Sequence, residues 1–247
     1  RQRQMCIRDS VKSEGMGDGN GKYTIDEGIE HVSPRPWPFP GEDGEAPEFK
    51  YDPHVWTSPK QAKIQVDNIV NTLSQASPQA KDAFTAAGKK YTDQLEDLDK
   101  WASDSMSAVP EQDRVLFSSH DAFGYFSNEY GVKFIGSALS DFNHQQDATS
   151  SHIDEQVKKV RESGAKAIFA ENSNNSKSIE AIARAAGVKA VTSDDALYGD
   201  SLGVPGSEGE TYIGSIVHNI NTLVSAWDSK QQPLPESLQE FDFAKRK

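Results

Sequence analysis

Four stretches of this sequence carry residue types whose chemistry depends on spacing. Met16 to Glu27 (MGDGNGKYTIDE) matches part of a calcium loop through Asp18, Asn20, Gly21 and Glu27. Its first position is Met16, where a carboxylate belongs, and its glycines and Pro34 deny it flanking helices, so a glycine-rich turn is the better reading. Gly199 to Gly203 (GDSLG) satisfies the G-x-S-x-G pattern, which would make Ser201 the nucleophile of a GDSL-like hydrolase. That chemistry needs a strand running straight into the serine and a helix straight out. Gly199 lies eight positions beyond Val191, and Pro205 and Gly206 follow too soon for a helix to leave Ser201. Ser119-His120-Asp121 holds the three triad residue types, but chain neighbours diverge and cannot hydrogen-bond in line. The fourth stretch is Tyr51-Asp52-Pro53-His54-Val55-Trp56, in which Pro53 fixes the approach and Trp56 anchors the loop, so that His54 is held rigidly. Neutral imidazole is the commonest metal-binding side chain, although an isolated histidine is more often a packing residue.

Elements that could position these side chains follow from the hydrophobic period. Ala62, Val66, Ile69, Val70 and Leu73 recur at helical spacing from Thr57 onward. Ser77-Pro78 then reads as an N-cap followed by proline at the first helical position. Behind it Phe84, Tyr91, Leu95, Leu98 and Ala102 keep one stripe, predicting a helix over Pro78 to Ser107 of roughly 42 Å at 1.5 Å per residue. A helix of that length usually spans something. Beyond Pro110 short apolar runs alternate with helical patterns: strands at Val115–Ser118, Val132–Ile135, Ala167–Ala170 and Val188–Val191, and helices at Ala122–Tyr130, His152–Glu162, Lys177–Ala186 and Glu208–Trp227. Such alternation predicts βαβ units, hence an α/β fold with a parallel sheet covered on both faces. His120 then falls just past the carboxyl end of a strand, where open α/β sheets place their ligand contacts.

Composition narrows the function classes. The chain has 247 residues, 26 Lys and Arg against 38 Asp and Glu, and a net charge of −12, which argues against nucleic acid or an anionic membrane surface as partner. One cysteine, Cys6, excludes an intrachain disulfide framework and a multi-cysteine zinc site. Arg1 to Ser10 reads as a non-native segment and not as a secretory signal. Residues 11–52 are rich in Gly, Pro and acids, with a polyproline-like loop at Ser33 to Pro40. Residues 77–109 would be the long helix, 110–228 a carboxyl-terminal α/β lobe, and 229–247 a flexible tail.

Taken in order, Asp-Pro-His-x-Trp before a helix, a long helix, Ser-His-Asp-Ala-Phe-x-Tyr-Phe after a strand, Phe-Ala-Glu-Asn-Ser, and Tyr-Gly-Asp-Ser-Leu-Gly before the last helix form a set. The set resembles the zinc/manganese solute-binding proteins of bacterial ABC-type importers, over about Tyr51 to Trp227. The resemblance implies two parallel-sheet α/β lobes joined by one long helix, with a divalent metal held between them. It implies that residues 11–76 are the remnant of an incomplete amino-terminal lobe. It implies that His54, His120 and Asp200 are metal ligands and that Glu171, at the end of the third strand, orients an imidazole from behind. A further family histidine is expected upstream of Asp-Pro-His. His31 is the only upstream histidine and its proline-rich surroundings make it a poor substitute; His144, His152 and His218 match no ligand motif.

The chemistry of such a set is coherent in itself. Two or three imidazoles with one carboxylate suit a borderline cation such as Zn²⁺ or Mn²⁺ and not an all-oxygen Ca²⁺ cage. A closed four-ligand shell leaves no position for a nucleophilic water, so it suits capture and release over catalysis. The resemblance thus implies an extracytoplasmic, lipid-anchored parent, acting as a monomer, that passes metal to a membrane permease. The rival readings are the hydrolase using Ser201 and a surface adhesion module docking through Ser33 to Pro40.

Overall fold

The computed structural model describes residues 52–139 and 150–243. Arg1–Ser10, the Met16–Glu27 loop, His31, the Ser33–Pro40 segment and His144 lie outside the described residues. The chain divides into two compact units at Asp99–Lys100. That boundary falls inside the long helix.

In the first unit the described residues form a short 3-10 turn, Val55–Thr57, then helix α1, Pro59–Ala76. Ser58 caps α1, its hydroxyl accepting from the Gln61 N–H at 3.4 Å, and Pro59 stands at the first helical position, where its missing N–H costs nothing. A second 3-10 turn, Pro78–Ala80, leads into helix α2, Lys81–Ser107. Its 27 residues correspond to about 40 Å, so the predicted long helix is present, with its first turn tightened to 3-10 form. The two helices touch closely at Gly88, where an added Cβ would stand 2.3 Å from a Val70 methyl.

The second unit is an α/β layer built on parallel pairs. Strands β1 (Val115–Ser118) and β2 (Lys133–Ser137) pair in parallel, as do β3 (Ala167–Phe169) and β4 (Lys189–Val191). The strands follow the sequence prediction to within two residues at each end. Between them lie helices α3 (Gly124–Glu129), α4 (Ser150–Ser163) and α5 (Lys177–Ala186), and α6 (Tyr212–Ala226) closes the fold. β1 and β3 lie side by side without a shared backbone ladder, so the expected single sheet resolves into two two-stranded ones.

Period-2 alternation assigns the two faces. Val115, Phe117, Ile168 and Ala170 pack with Val157, Val160, Ile179 and Ile182 of α4 and α5. The alternate residues Leu116 and Phe169 are also fully buried; the Phe169 ring meets the Trp227 ring edge-on at 6.3 Å, and the Trp227 indole N–H donates to the Val115 carbonyl at 3.2 Å. Helices therefore cover both faces, which is why these strands carry almost no polar residues.

Two expectations are corrected. The last helix starts at Tyr212 and not at Glu208: Thr211 is its cap, its hydroxyl accepting from the Gly214 N–H at 3.1 Å, and Gly209 falls in the preceding loop. The segment expected to be a flexible tail packs onto the unit as far as residue 243. It forms a 3-10 helix, Glu236–Phe241, with Leu238 fully buried, and the Trp101 indole donates to the Gln232 carbonyl at 3.3 Å. The apolar Leu238 and the Trp101 donor outweigh the polar composition around them.

Candidate metal centre

In the second unit β1 leads through α3 to β2 on one side, while β3 leads through α5 to β4 on the other. The carboxyl ends of the adjacent strands β1 and β3 thus form a topological switch point, where α/β sheets bind ligands. His120 follows β1 by two residues and Glu171 follows β3 by two, so the topology delivers both to one crevice. The Ser119 hydroxyl ties the two strand ends by accepting from the Glu171 N–H at 3.1 Å. The Ser of Ser-His-Asp is therefore a strap between strands and not a nucleophile.

His120 is held by two carboxylates. Glu171 Oε1 accepts from the His120 backbone N–H at 2.9 Å, and Oε2 lies 2.7 Å from ring Nδ1. On the other edge Nε2 lies 2.9 Å from Asp200 Oδ2. His120 and Glu171 are buried, at 5% and 1% exposure, while Asp200 is exposed. Burial opposes charge on the imidazole, but the Asp200 and Glu171 carboxylates outweigh it and raise the pKa to about 10. Two carboxylates thus face the two ring nitrogens of His120 from opposite edges. Asp200 reaches it from a loop that is closely packed at its base: a Cβ at Gly199 would stand 2.3 Å from Glu171 Oε2, so only glycine fits beside that carboxylate.

In the first unit His54 precedes the 3-10 turn and is fully buried. Asp52 Oδ1 accepts from the His54 backbone N–H at 2.9 Å and lies 2.6 Å from ring Nδ1. A carboxylate at Nδ1 fixes the proton there and leaves Nε2 with a lone pair, the tautomer a metal requires. The Trp56 ring meets the imidazole edge-on at 5.2 Å. The sequence reading named His54 but not Asp52. The signal was present, because Asp-Pro-His sets the carboxylate two residues before the imidazole with a rigid residue between.

Of the expected site residues, His120, Glu171 and Asp200 come together in the second unit, and His54 stands in the first with its own carboxylate. Ser201 lies in a loop with no strand entering it and no helix leaving it, and the Asn172 side-chain amide donates to its Oγ at 2.9 Å and to its carbonyl at 3.2 Å. A hydroxyl engaged by an amide lacks the base that would activate it. His218, read as an ordinary packing residue, is buried against the Asp200 loop.

A family model described as the periplasmic component A of a zinc-uptake complex matches residues 7–226. The chain belongs to this zinc-uptake component A family. The match takes in residues 7–51, which the sequence likeness had left out. A manganese-binding lipoprotein, MntA, of Bacillus subtilis is 40% identical over 178 residues, covering 71% of this chain and 58% of that protein. A Streptococcus mitis protein named as a manganese ABC transporter substrate-binding lipoprotein, PsaA, is 26% identical over 181 residues, 73% of this chain and 57% of that one. The solved periplasmic zinc-binding protein TroA of Treponema pallidum superposes with a TM-score of 0.66 at 31% identity, covering 73% of this chain and 65% of that one. The chain thus spans somewhat under 60% of the length of these two curated relatives. The names printed for the family and these relatives speak of zinc uptake, manganese binding and a manganese ABC transporter, and none names a hydrolase.

Proposed function

We propose that this chain captures a divalent transition metal, Mn²⁺ or Zn²⁺, outside the cytoplasm and passes it to the membrane permease of an ABC-type importer. The observation that carries the reading is the buried His120 imidazole held between the Glu171 and Asp200 carboxylates at the switch point. A site that turns carboxylates onto an imidazole has the charge and the donor atoms to hold a metal cation. Family membership supplies the transport context.

Within the second unit the donors are His120 and Asp200; in the first, Asp52 orients the His54 ring as a metal-binding imidazole would be. Glu171 stays behind the imidazole: its Oε2 lies 2.7 Å from Nδ1, on the ring edge away from Asp200, and orients His120 as Asp52 orients His54. Imidazole and carboxylate donors suit Mn²⁺ or Zn²⁺, and Zn²⁺ would bind the tighter of the two at equal geometry.

The test is metal analysis and calorimetry with Mn²⁺ and Zn²⁺ on the purified chain, beside His120→Ala. One ion per chain, lost on substitution, is the expected result. Binding that survives His120→Ala unchanged overturns the reading.

A further inference from the structure

Asp200 sits on a loop between the 3-10 turn Ser193–Asp195 and the start of α6, and loops do not by themselves hold a ligand in place. This loop is fastened from α6 by two adjacent buried residues, His218 and Asn219, at 5% and 2% exposure. The Asn219 amide acts as a substitute β-strand: its Oδ1 accepts from the Tyr198 N–H at 2.8 Å and its Nδ2 donates to the Tyr198 carbonyl at 2.9 Å. His218 spans the two ends of the loop. Its Nε2 lies 3.0 Å from the Ala196 carbonyl and its Nδ1 lies 2.8 Å from Glu208 Oε2. Between these fastenings the Tyr198 ring lies edge-on to the His218 ring at 4.9 Å, under Gly209, where a Cβ would stand 2.3 Å from the Tyr198 ring.

On the opposite side Leu197 bridges to the chain leaving β3, with its N–H donating to the Ala170 carbonyl and its carbonyl accepting from the Asn172 N–H, both at 2.9 Å. The residues immediately before Asp200 are thus locked between the strand that delivers Glu171 and the helix that carries His218 and Asn219. Packing alone would ask for an apolar pair at these inward positions of α6. A histidine and an asparagine there, each satisfied at both polar ends by this one loop, point to a specific task.

We infer that His218 and Asn219 are positioning residues that hold Asp200 at the metal, and that they govern how tightly and how long the ion is held. The inference rests on the capture reading above. His218 touches no candidate ligand directly, and its effect passes through the loop backbone.

The experiment is a double-mutant cycle on the full chain, measuring Mn²⁺ and Zn²⁺ affinity by calorimetry and dissociation rate by chelator competition. His218→Gln and Asn219→Ala are each made alone and in combination with Asp200→Ala, and the metal-free forms are melted in parallel. Each single variant is expected to lose about 10–100-fold in affinity, mostly through faster release, as for other residues that orient metal ligands. In the Asp200→Ala background the same changes are expected to cost less than about threefold, because the residue they position is gone. Equal losses in both backgrounds, or no loss in either, overturn the inference while leaving the capture reading intact. If Asp200→Ala itself binds as tightly as the parent, the Asp200 role and this inference fall together. Should Asn219→Ala fail to fold, Asn219→Asp keeps the acceptor facing the Tyr198 N–H, removes the donor, and reads the same coupling.

Discussion

Glu171 grips His120 twice, accepting from its backbone N–H at 2.9 Å through Oε1 and standing 2.7 Å from its ring through Oε2. One buried carboxylate therefore fixes both where the residue is and how its imidazole is turned. Glu171→Gln keeps the shape and can still accept from the backbone, but removes the charge. Metal affinity is expected to fall by at least the ~10–100-fold typical of lost ligand-orienting groups, with the fold retained by circular dichroism. Affinity equal to that of the parent chain would show that Glu171 only packs.

The His120 pKa, raised to about 10 from the ordinary value near 6.5, sets a pH dependence for the metal-free chain. A group whose folded pKa is raised contributes stability that is full below the unfolded value and is lost as pH rises through the folded one. The difference in melting temperature between the chelator-treated parent and His120→Gln is therefore expected to be large at pH 6 and to shrink toward pH 10. A difference that stays constant over that range would mean that the carboxylates do not hold the imidazolium as described.

Asp52 sets the tautomer of His54 through the contact between Oδ1 and Nδ1 at 2.6 Å. Asp52→Asn is expected to weaken metal binding by about 10–100-fold, since the amide is neutral and can present a donor to Nδ1. Titration calorimetry of the variant against the parent reads the change directly, and parity would exclude a tuning role for Asp52.

Gly199→Ala places a methyl against Glu171 Oε2, where the distance would be 2.3 Å. The carboxylate must move, so metal affinity is expected to drop together with about 1–3 kcal/mol of stability from overpacking. Denaturant unfolding and calorimetry on the same preparation measure the two effects. Loss of stability without loss of affinity would place Glu171 outside the binding chemistry.

Leu238 is fully buried in the carboxyl-terminal 3-10 helix. Leu238→Ala is expected to cost about 2–5 kcal/mol in denaturant unfolding, as for other buried leucines. A cost near zero would show that this segment contributes nothing to the second unit.

Much of the fold was legible because its causes are local. The helical spacing of Ala62, Val66, Ile69, Val70 and Leu73 writes α1, the stripe through Leu95, Leu98 and Ala102 writes α2, and the apolar runs at Val115 and Ala167 write the strands. Where the local signal was composition alone it misled. Glu208 and Gly209 look like a helix start until the Thr211 cap decides otherwise, and the polar residues of 229–243 conceal one leucine that the core takes up.

The sequence by itself pointed to His54, His120, Glu171 and Asp200 through the motifs that carry the family resemblance, and it left Asp52 unnamed although Asp-Pro-His places it beside His54. What only the tertiary structure decided is that His120, Glu171 and Asp200 meet. Glu171 comes from 51 residues beyond His120 because parallel strands bring distant carboxyl ends side by side, and sequence periodicity carries no record of which strands will neighbour each other. The grip of His218 and Asn219 on the Asp200 loop was hidden for the same reason. A hydrogen bond between a helix and a remote loop depends on the packing of whole elements, while the period that betrays a helix depends only on residues three and four apart.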